Sequence, residues 1–219
     1  MQISDCRLQI RESGSGSLQS SICNLQFAMK VGVLAVQGDF EAHAQMLRRL
    51  GVEPRFVKKT AQVHDLAGLV LPGGESTTCL KFLGRDGFGE AIRRAARDGM
   101  PMLGTCAGAI LMAQRVENPV QDSLGVLDVT VRRNAYGSQL DSFVETGDFD
   151  GAPLEMVFIR APQFADLGPG VEVLAHCRGR VVFVRQGHLL AGAFHPELTT
   201  DTRVHQYFLD LVLSACLLH

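Results

Sequence analysis

Short apolar runs alternate with amphipathic stretches through the part of the chain that follows Met29. Four of the runs have the length and composition of buried strands, and they span 31–36, 55–58, 69–71 and 100–103. Between them lie stretches with apolar residues at helical spacing, at 40–50 and 87–97. Asp39 is placed to cap the first of these helices, and Gly51 to end it. This alternation predicts an α/β fold with a doubly wound, mostly parallel sheet of the flavodoxin-like type.

After about residue 120 the apolar period shifts toward two, which is typical of strands. We expect additional β-strands in this C-terminal half, at 126–131, 155–159, 171–175, 181–184 and 189–194. Residues 202–218 carry apolar residues at helical spacing and predict a closing helix. No internal repeat is visible, so residues 29–219 are expected to form one domain.

The first 28 residues differ from the rest of the chain. The segment Arg11–Ser17 has a linker-like composition, and charged residues of both signs interrupt the region without a continuous apolar run. A secretory signal needs such a run, so it is not indicated here, and a transit peptide has little support. We expect residues 1–28 to be a disordered N-terminal extension, with the folded domain starting at Met29.

Composition limits the classes of function. With 46% hydrophobic residues, 20% charged residues and a formal net charge of −2, the chain suits a soluble globular domain. A charge so close to zero provides no electrostatic case for binding nucleic acid or an anionic membrane, and no apolar run reaches the roughly 18 residues of a membrane helix. The six cysteines show no C-x-x-C pair, so neither a metal site nor a disulfide framework is predicted and a cytoplasmic location fits best.

The pentapeptide Gly104–Gly108 carries the first candidate for chemistry. It separates an apolar strand-like run, 99–103, from helix-forming sequence at 109–113, which is the arrangement of a nucleophile elbow with Cys106 in the reactive position. The two glycines allow the backbone to pass close by, and Ala107 adds only a methyl group. Cys106 would then lie at a helix N-terminus, where the helix dipole favours a thiolate. The alternative is a buried structural cysteine, the commoner fate of a single core cysteine.

The tripeptide His195-Pro196-Glu197 supplies a base and an orienting carboxylate. Proline favours extended geometry in the residue before it, so His195 is expected at the end of a strand. Side chains two positions apart on an extended chain point the same way, so Glu197 should reach the imidazole. Taken alone, the tripeptide is better explained as a loop histidine beside a solvated glutamate. Combined with Cys106, it matches the logic of nucleophile, base and orienting group.

A glycine-rich loop, Leu71–Thr77, also follows a predicted strand. Gly73 and Gly74 leave the backbone free to present N–H groups to an oxyanion. A phosphate-binding loop is the competing interpretation, but neither of the common glycine-rich phosphate motifs is present. Because parallel strands present their carboxyl ends along one edge of the sheet, this loop and Cys106 are expected to lie close together.

Several sequence blocks together resemble the class I, triad-type glutamine amidotransferases, and most closely the glutaminase subunits of pyridoxal 5′-phosphate synthases. The elbow and the His-x-Glu tripeptide are shared by many amidotransferases, whereas three other blocks are specific to those subunits. These three blocks are Pro-Gly-Gly-Glu-Ser-Thr77, Phe-Ile-Arg-Ala-Pro162 and His-Pro-Glu-Leu-Thr199. The chain departs from the family pattern at Ala135-Tyr136, where Ser-Phe is more usual, and residues 1–28 have no counterpart.

The resemblance implies hydrolysis of L-glutamine to glutamate and ammonia, with Cys106 as nucleophile, His195 as proton carrier and Glu197 as its orienting partner. It assigns the glutamine site to Gly74, Glu75, Ser76, Arg133, Ile159 and Arg160. The oxyanion hole is expected from Gly73, Gly74 and Ala107. From charge alone Glu75 suits the substrate ammonium and an arginine suits its carboxylate, but either arginine could equally form a surface ion pair.

The resemblance also implies a partner. Ammonia would pass to a synthase subunit in a hetero-oligomeric complex that assembles pyridoxal 5′-phosphate, so that this compound is a product and the chain itself needs no cofactor or metal. A stand-alone or other-pathway class I glutamine amidotransferase is the alternative function. Two further alternatives are a thiol chaperone or peptidase relative, which typically lacks the late His-x-Glu, and a non-catalytic module that docks on a synthase.

Overall fold

The structure, a computed structural model, describes residues 29–133 and 142–218 of the 219-residue chain. Its main feature is a nine-stranded sheet with the strand order β2-β1-β3-β4-β12-β11-β10-β7-β8. The described residues contain twelve strands, of which the first six are β1 (Val31–Leu34), β2 (Arg55–Val57), β3 (Gly68–Leu71), β4 (Met102–Thr105), β5 (Ala113–Glu117) and β6 (Leu127–Arg132). The other six are β7 (Ser142–Phe149), β8 (Ala152–Ile159), β9 (Gln163–Leu167), β10 (Glu172–Cys177), β11 (Arg180–Gln186) and β12 (Leu189–Gly192).

Five neighbouring strands of the large sheet, β2, β1, β3, β4 and β12, are parallel. Every residue of β1, β3, β4 and β12 is buried. Strands covered on both faces are built from continuous apolar runs, which is why the sequence pattern predicted this part of the sheet. The α/β class with a parallel core is therefore confirmed.

The remaining four strands of the sheet continue it in antiparallel fashion from β12 through β11, β10, β7 and β8. A separate three-stranded sheet has the order β5-β6-β9. The additional strands expected in the C-terminal half are thus present. Three strands, β5, β7 and β9, were not predicted, because polar residues interrupt their apolar pattern and several of their side chains are exposed.

Five α-helices occur in the described residues: α1 (Phe40–Arg49), α2 (Ser76–Leu83), α3 (Phe88–Arg97), α4 (Ala107–Met112) and α5 (Arg203–Leu218). Asp39 does occupy the position before α1, but its side chain makes no capping hydrogen bond. The helix after the elbow ends at Met112, one residue before the end of the predicted stretch 109–113, since Ala113 already begins β5. None of the helices in the described ranges is long and apolar enough to cross a membrane. The predicted N-terminal extension, 1–28, lies outside the described residues.

Helix α4 packs closely on β3 at a glycine. A Cβ atom built on Gly108 would overlap the backbone carbonyl of Leu71. One on Gly104 would lie 2.6 Å from the sulfur of Met112 and 2.8 Å from the backbone of Gly108. Both glycines of the elbow are therefore required by close backbone approach, as expected, and they hold the start of α4 against the end of β4.

Candidate active site

The predicted reactive residues meet at the carboxyl ends of three adjacent strands. In the register of the sheet, Leu71 at the end of β3 pairs with Gly104 of β4, and Thr105 pairs with Gly192 of β12. The glycine-rich loop follows the first of these strands, Cys106 follows the second, and His195 lies three residues beyond the third. The single sheet edge expected for these groups is therefore observed.

Cys106 has the backbone conformation of a strained turn. Its φ of 47° and ψ of −104° lie outside the usual regions for a residue with a side chain, at a cost of order 1–3 kcal/mol. The backbone N–H of Cys106 donates to the carbonyl of Gly192 at 2.8 Å, which joins the turn to β12. Its thiol lies 3.7 Å from the carbonyl oxygen of Ile159. The side chain is thus held at the start of α4 and faces the residues of the candidate pocket.

His195 and Glu197 are both buried and bonded to each other. The Nδ1 atom of His195 lies 2.7 Å from Oε1 of Glu197, so the predicted contact is confirmed. The prediction that an extended chain would produce this contact is wrong, because Pro196–Leu198 form a 3₁₀ turn. The turn reverses the chain and brings Glu197 back under the imidazole. The backbone N–H of His195 donates to Val157 of β8 at 2.8 Å, which fixes where the turn starts.

The electrostatics of this group favour a charged imidazole. Burial alone would lower the pKa of His195, but the interactions with Cys106 and Glu197 outweigh it and raise the pKa to about 10. Burial also raises the pKa of Glu197, against the opposing effect of its bond to His195. These interactions stabilise an imidazolium at His195, which is the partner that an attacking cysteine needs.

Gly73 lies directly against the cysteine and the histidine. A Cβ atom at this position would overlap Cε1 of His195, and it would lie 3.4 Å from the Cβ of Cys106. Gly74 has a φ of 134°, which a residue with a side chain rarely adopts, and it packs against Gly38 in the loop after β1. Of the residues expected in an oxyanion hole, Gly73 thus lies against the reactive pair, Gly74 lines the same pocket as Cys106, and Ala107 is the first residue of α4.

A cavity of about 150 Å³ opens above the thiol. Besides Cys106 and His195, it is lined by all six residues assigned to the glutamine site, namely Gly74, Glu75, Ser76, Arg133, Ile159 and Arg160. Two lining residues, Asp39 and Ile110, were not predicted. The structure thus brings together residues from six separate segments of the chain in one small pocket.

The pocket carries charges of both signs close together. The guanidinium of Arg133 lies 3.9 Å from the carboxylate of Glu75. Hydrogen bonds from Thr77 are the main reason that the pKa of Glu75 is lowered, with Arg133 and Arg160 adding to the effect. Gln121, which was not predicted, accepts from Arg133 at 2.6 Å and from the hydroxyl of Ser76 at 3.1 Å. No sequence motif marks Gln121, because its role depends on contacts between distant segments.

Asp39 is the second residue that sequence reasoning missed. Its carboxylate lies 3.7 Å from Nδ1 of His195, at the carboxyl-end loop of β1. That position could have identified it, since ligands of such sheets bind at this edge. Asp39, His195 and Glu197 place ligand-type atoms within 4.8 Å of one another, as a metal site would. However, the 2.7 Å hydrogen bond between His195 and Glu197 already accounts for the facing atoms of those two residues.

Comparisons with known proteins point to one family. The profile of the SNO glutamine amidotransferase family matches residues 33–214. The pyridoxal 5′-phosphate synthase subunit PdxT of Koribacter versatilis is 55% identical over 186 residues, covering 84% of this chain and 96% of the relative. The subunit of the same name from Thermus thermophilus is 51% identical over 184 residues, covering 83% and 96%.

Solved structures agree with this fold. A crystal structure described as a glutamine amidotransferase superposes with a TM-score of 0.79 at 48% identity, covering 83% of this chain and 98% of the other. PurLQS from Thermotoga maritima superposes with a TM-score of 0.62 at 16% identity, covering 86% and 97%. The second likeness concerns the fold alone.

Proposed function

The chain belongs to the SNO glutamine amidotransferase family, and from that premise we propose that it is the glutaminase subunit of a pyridoxal 5′-phosphate synthase. It hydrolyses the side-chain amide of L-glutamine to glutamate and ammonia. The observation that carries the proposal is the arrangement of Cys106, His195 and Glu197 beneath a pocket that presents opposite charges.

In the first half of the reaction the thiolate of Cys106 attacks the amide carbon of glutamine. The carbonyl oxygen becomes an oxyanion, for which backbone N–H groups of Gly73, Gly74 and Ala107 are the proposed donors. The C–N bond then breaks, and the imidazolium of His195 supplies the proton that lets ammonia leave. The raised pKa of His195 supports this step, because the proton is already on the imidazole.

In the second half a water molecule attacks the resulting thioester. Neutral His195 takes a proton from this water, the C–S bond breaks, and glutamate leaves as the thiolate and imidazolium are restored. Glu197 holds Nδ1 throughout, so that the same Nε2 atom gives and then receives the proton. His195 Nε2 makes no hydrogen bond to another described residue, which leaves it available for both transfers.

The pocket charges suit an α-amino acid. Glutamine carries an ammonium and a carboxylate on one carbon, so a matching site needs both signs a few ångströms apart. Glu75 and Arg133, 3.9 Å from each other, provide such a pair, and Arg160 lies at the same pocket. We assign Glu75 to the ammonium and the arginines to the carboxylate, with Gly74, Ser76 and Ile159 completing the walls.

The partner follows from the names of the relatives, which are subunits of pyridoxal 5′-phosphate synthase. We propose that this chain likewise docks on a synthase subunit in the cytoplasm and passes ammonia to it. The coenzyme is then a product of the complex. A class I amidotransferase that acts alone or in another pathway is the alternative, and it differs in needing no such partner.

A glutaminase assay with and without the synthase subunit tests the proposal. We expect the isolated chain to be slow and the complex to be faster, because free hydrolysis would release ammonia to solvent. The peptide between Gly73 and Gly74 can turn at little steric cost, and losing one oxyanion donor typically costs roughly 10²–10³ in turnover. Equal rates in both conditions would instead favour a stand-alone enzyme.

Substitution at the nucleophile completes this test. Cys106→Ala should abolish hydrolysis in the complex and leave the melting temperature unchanged, whereas Cys79→Ala serves as a matched control that keeps activity. A glutamine-like electrophile should label Cys106 selectively, since burial raises the pKa of Cys79 to about 11 and also raises the pKa of Cys177. Labelling mainly at Cys79 or Cys177 would contradict the assignment.

A further inference from the structure

Behind Glu197 the protein interior contains two histidines that the proposed reaction does not use. His43 of α1 and His205 of α5 are both fully buried. Nδ1 of His43 lies 2.9 Å from Nε2 of His205. Nε2 of His43 lies 3.0 Å from the hydroxyl of Thr105 and 3.3 Å from Oε2 of Glu197. A continuous row of polar groups therefore leads from His195 through Glu197 into the core.

The direction of these hydrogen bonds follows from what each atom can do. Oε2 of Glu197 has no partner in hydrogen-bonding geometry among the described residues, but Nε2 of His43 faces it at 3.3 Å. An ionised carboxylate only accepts, and a lone pair on Nε2 would be repelled by it, so we assign the proton of His43 to Nε2. In a neutral ring Nδ1 of His43 is then an acceptor, and Nε2 of His205 donates to it. This leaves Nδ1 of His205 as a bare acceptor, and it is indeed without a partner among the described residues.

Both histidines stay neutral in this environment. Burial is the main cause that lowers the pKa of His43, and His205 and His195 lower it further. Burial also lowers the pKa of His205 to about 3. The charged groups that face Glu197 are His195, which favours the carboxylate, and Asp39, which opposes it. Cys106 interacts with His195, whose pKa it raises, and is not among the groups that shift the pKa of Glu197.

We propose that His43 is a positioning residue for glutamine hydrolysis: its Nε2 N–H faces Oε2 of Glu197 at 3.3 Å, attracts the carboxylate and so holds the other oxygen on His195. Within this arrangement, His205 selects the tautomer of His43 that can donate. The inference rests on the proposed glutaminase function. It extends the orienting group from one carboxylate to a row that spans α1, the 3₁₀ turn and α5.

The physical reason is the cost of a buried carboxylate oxygen that faces no positive charge or dipole. Without the N–H of His43 facing Oε2, Glu197 is expected either to take up a proton or to turn away from its present position. Either change weakens the 2.7 Å bond to His195 and lets the imidazole leave the orientation in which it can exchange a proton with Cys106. Losing a favourable interaction with its charged form also raises the pKa of a carboxyl group, so the acid-side loss of activity would begin at a higher pH.

The test measures kcat, KM and the pH profile of glutamine hydrolysis for variants assembled with the synthase subunit. His43→Leu should lower kcat by roughly 10–100-fold, as losing an orienting partner typically does, and should move the acid limb of kcat to higher pH. KM should change less than about threefold, because no contact with glutamine is lost. His205→Leu should have a smaller effect in the same direction.

Two further substitutions separate positioning from mere support of the fold. Gln at position 43 can place an amide N–H where Nε2 of the imidazole lies, whereas Asn reaches only the Nδ1 position. We therefore expect His43→Gln to recover most of the activity and His43→Asn to recover little, at similar melting temperatures. His188→Leu removes a half-buried histidine far from this row, bonded at 2.7 Å to Ala96, and should leave the pH profile unchanged.

Equal activities of the Gln and Asn variants, or an unshifted acid limb in His43→Leu, would overturn the inference and leave His43 a packing residue. Failure of the proposed function would look different. In that case the wild-type complex would not hydrolyse glutamine, or Cys106→Ala would still do so, whatever the substitution at position 43.

Discussion

A methyl group added at Gly73 would overlap Cε1 of His195 and lie 3.4 Å from the Cβ of Cys106. The backbone of this loop is thus in van der Waals contact with Cys106 and His195, with no room for a side chain between them. The pair itself comes from strands adjacent in the sheet but far apart in sequence. At the scale of single residues, the site depends on glycines that leave room for the reactive side chains as much as on those side chains themselves.

We predict that Gly73→Ala inactivates the enzyme without unfolding it. The added methyl must displace the imidazole, and a misplacement of about 1 Å can cost on the order of 10² in rate. The φ of Gly73 is not positive, so the backbone itself accepts alanine. Glutamine turnover in the complex and the melting temperature are the measurements. Gly84→Ala is the matched control, because its nearest neighbour would be at an ordinary 3.5 Å and both quantities should be retained. Full activity of Gly73→Ala would show that Gly73 does not lie against His195 in the working enzyme.

Site residues could be predicted from sequence where one short segment contains both the reactive residue and the neighbours that reveal its role. Cys106 lies between two glycines, and His195 and Glu197 belong to one tripeptide, so local sequence identifies them. Arg133 and Arg160 were assigned only through resemblance to a family. Gln121 and Asp39 were missed, because their contacts join segments that only the fold brings together.

At the scale of elements, burial explains which strands the sequence revealed. The parallel strands β1, β3, β4 and β12 are buried along their whole length and read as plain apolar runs. Strand β7, in contrast, alternates exposed and partly buried residues at one side of the sheet and reads as polar sequence. Strand β5 starts directly after α4 without a turn residue to mark the change.

The contact between α1 and α5 through His43 and His205 makes stability depend on pH. His205 has a pKa of about 3 in the folded protein, below the roughly 6.5 of an unfolded chain. Between these values the unfolded state binds a proton that the folded state excludes, so stability falls as the pH is lowered from about 6.5 toward 3.

We therefore predict that, as the pH is lowered, the free energy of unfolding decreases less steeply in His205→Leu than in the wild type. One excluded proton corresponds to about 1.4 kcal/mol per pH unit. Unfolding in denaturant at several pH values from 4 to 7 measures the two slopes. Parallel slopes would mean that His205 is already protonated in the folded protein, which its buried contact with His43 does not allow.

At the scale of the whole molecule, the class of fold and the edge that carries the site followed from alternating strands and helices. The shape of the C-terminal half did not, because antiparallel strands can pair in many orders and the sequence pattern shows only their existence. The division of the chain at Met29 remains a prediction. The family match, at 33–214, lies wholly after that division.

Removal of residues 1–28 should leave glutamine turnover unchanged and the melting temperature within about 2 °C. The physical reason is that, among the residues that the structure describes, the buried core starts with Met29 and Val31, and the family match starts only at residue 33. A chain that starts at Leu34 is the contrasting variant, since it loses most of β1 and should unfold at a much lower temperature. A drop of several degrees on removal of 1–28 would show that this segment packs on the domain.

The position of β12 has a consequence for how the molecule is made. It is the last strand of the chain but the fifth of nine in the sheet, between β4 and β11. A chain emerging from the ribosome therefore carries two separate half-sheets until residues 189–192 appear and join them. Cys106 is synthesised 89 residues before its base (195 − 106), so the thiol exists during that part of translation without the group that makes it reactive. Closure of so long a loop is slow compared with local folding, and catalytic competence should accordingly arise in a single late event.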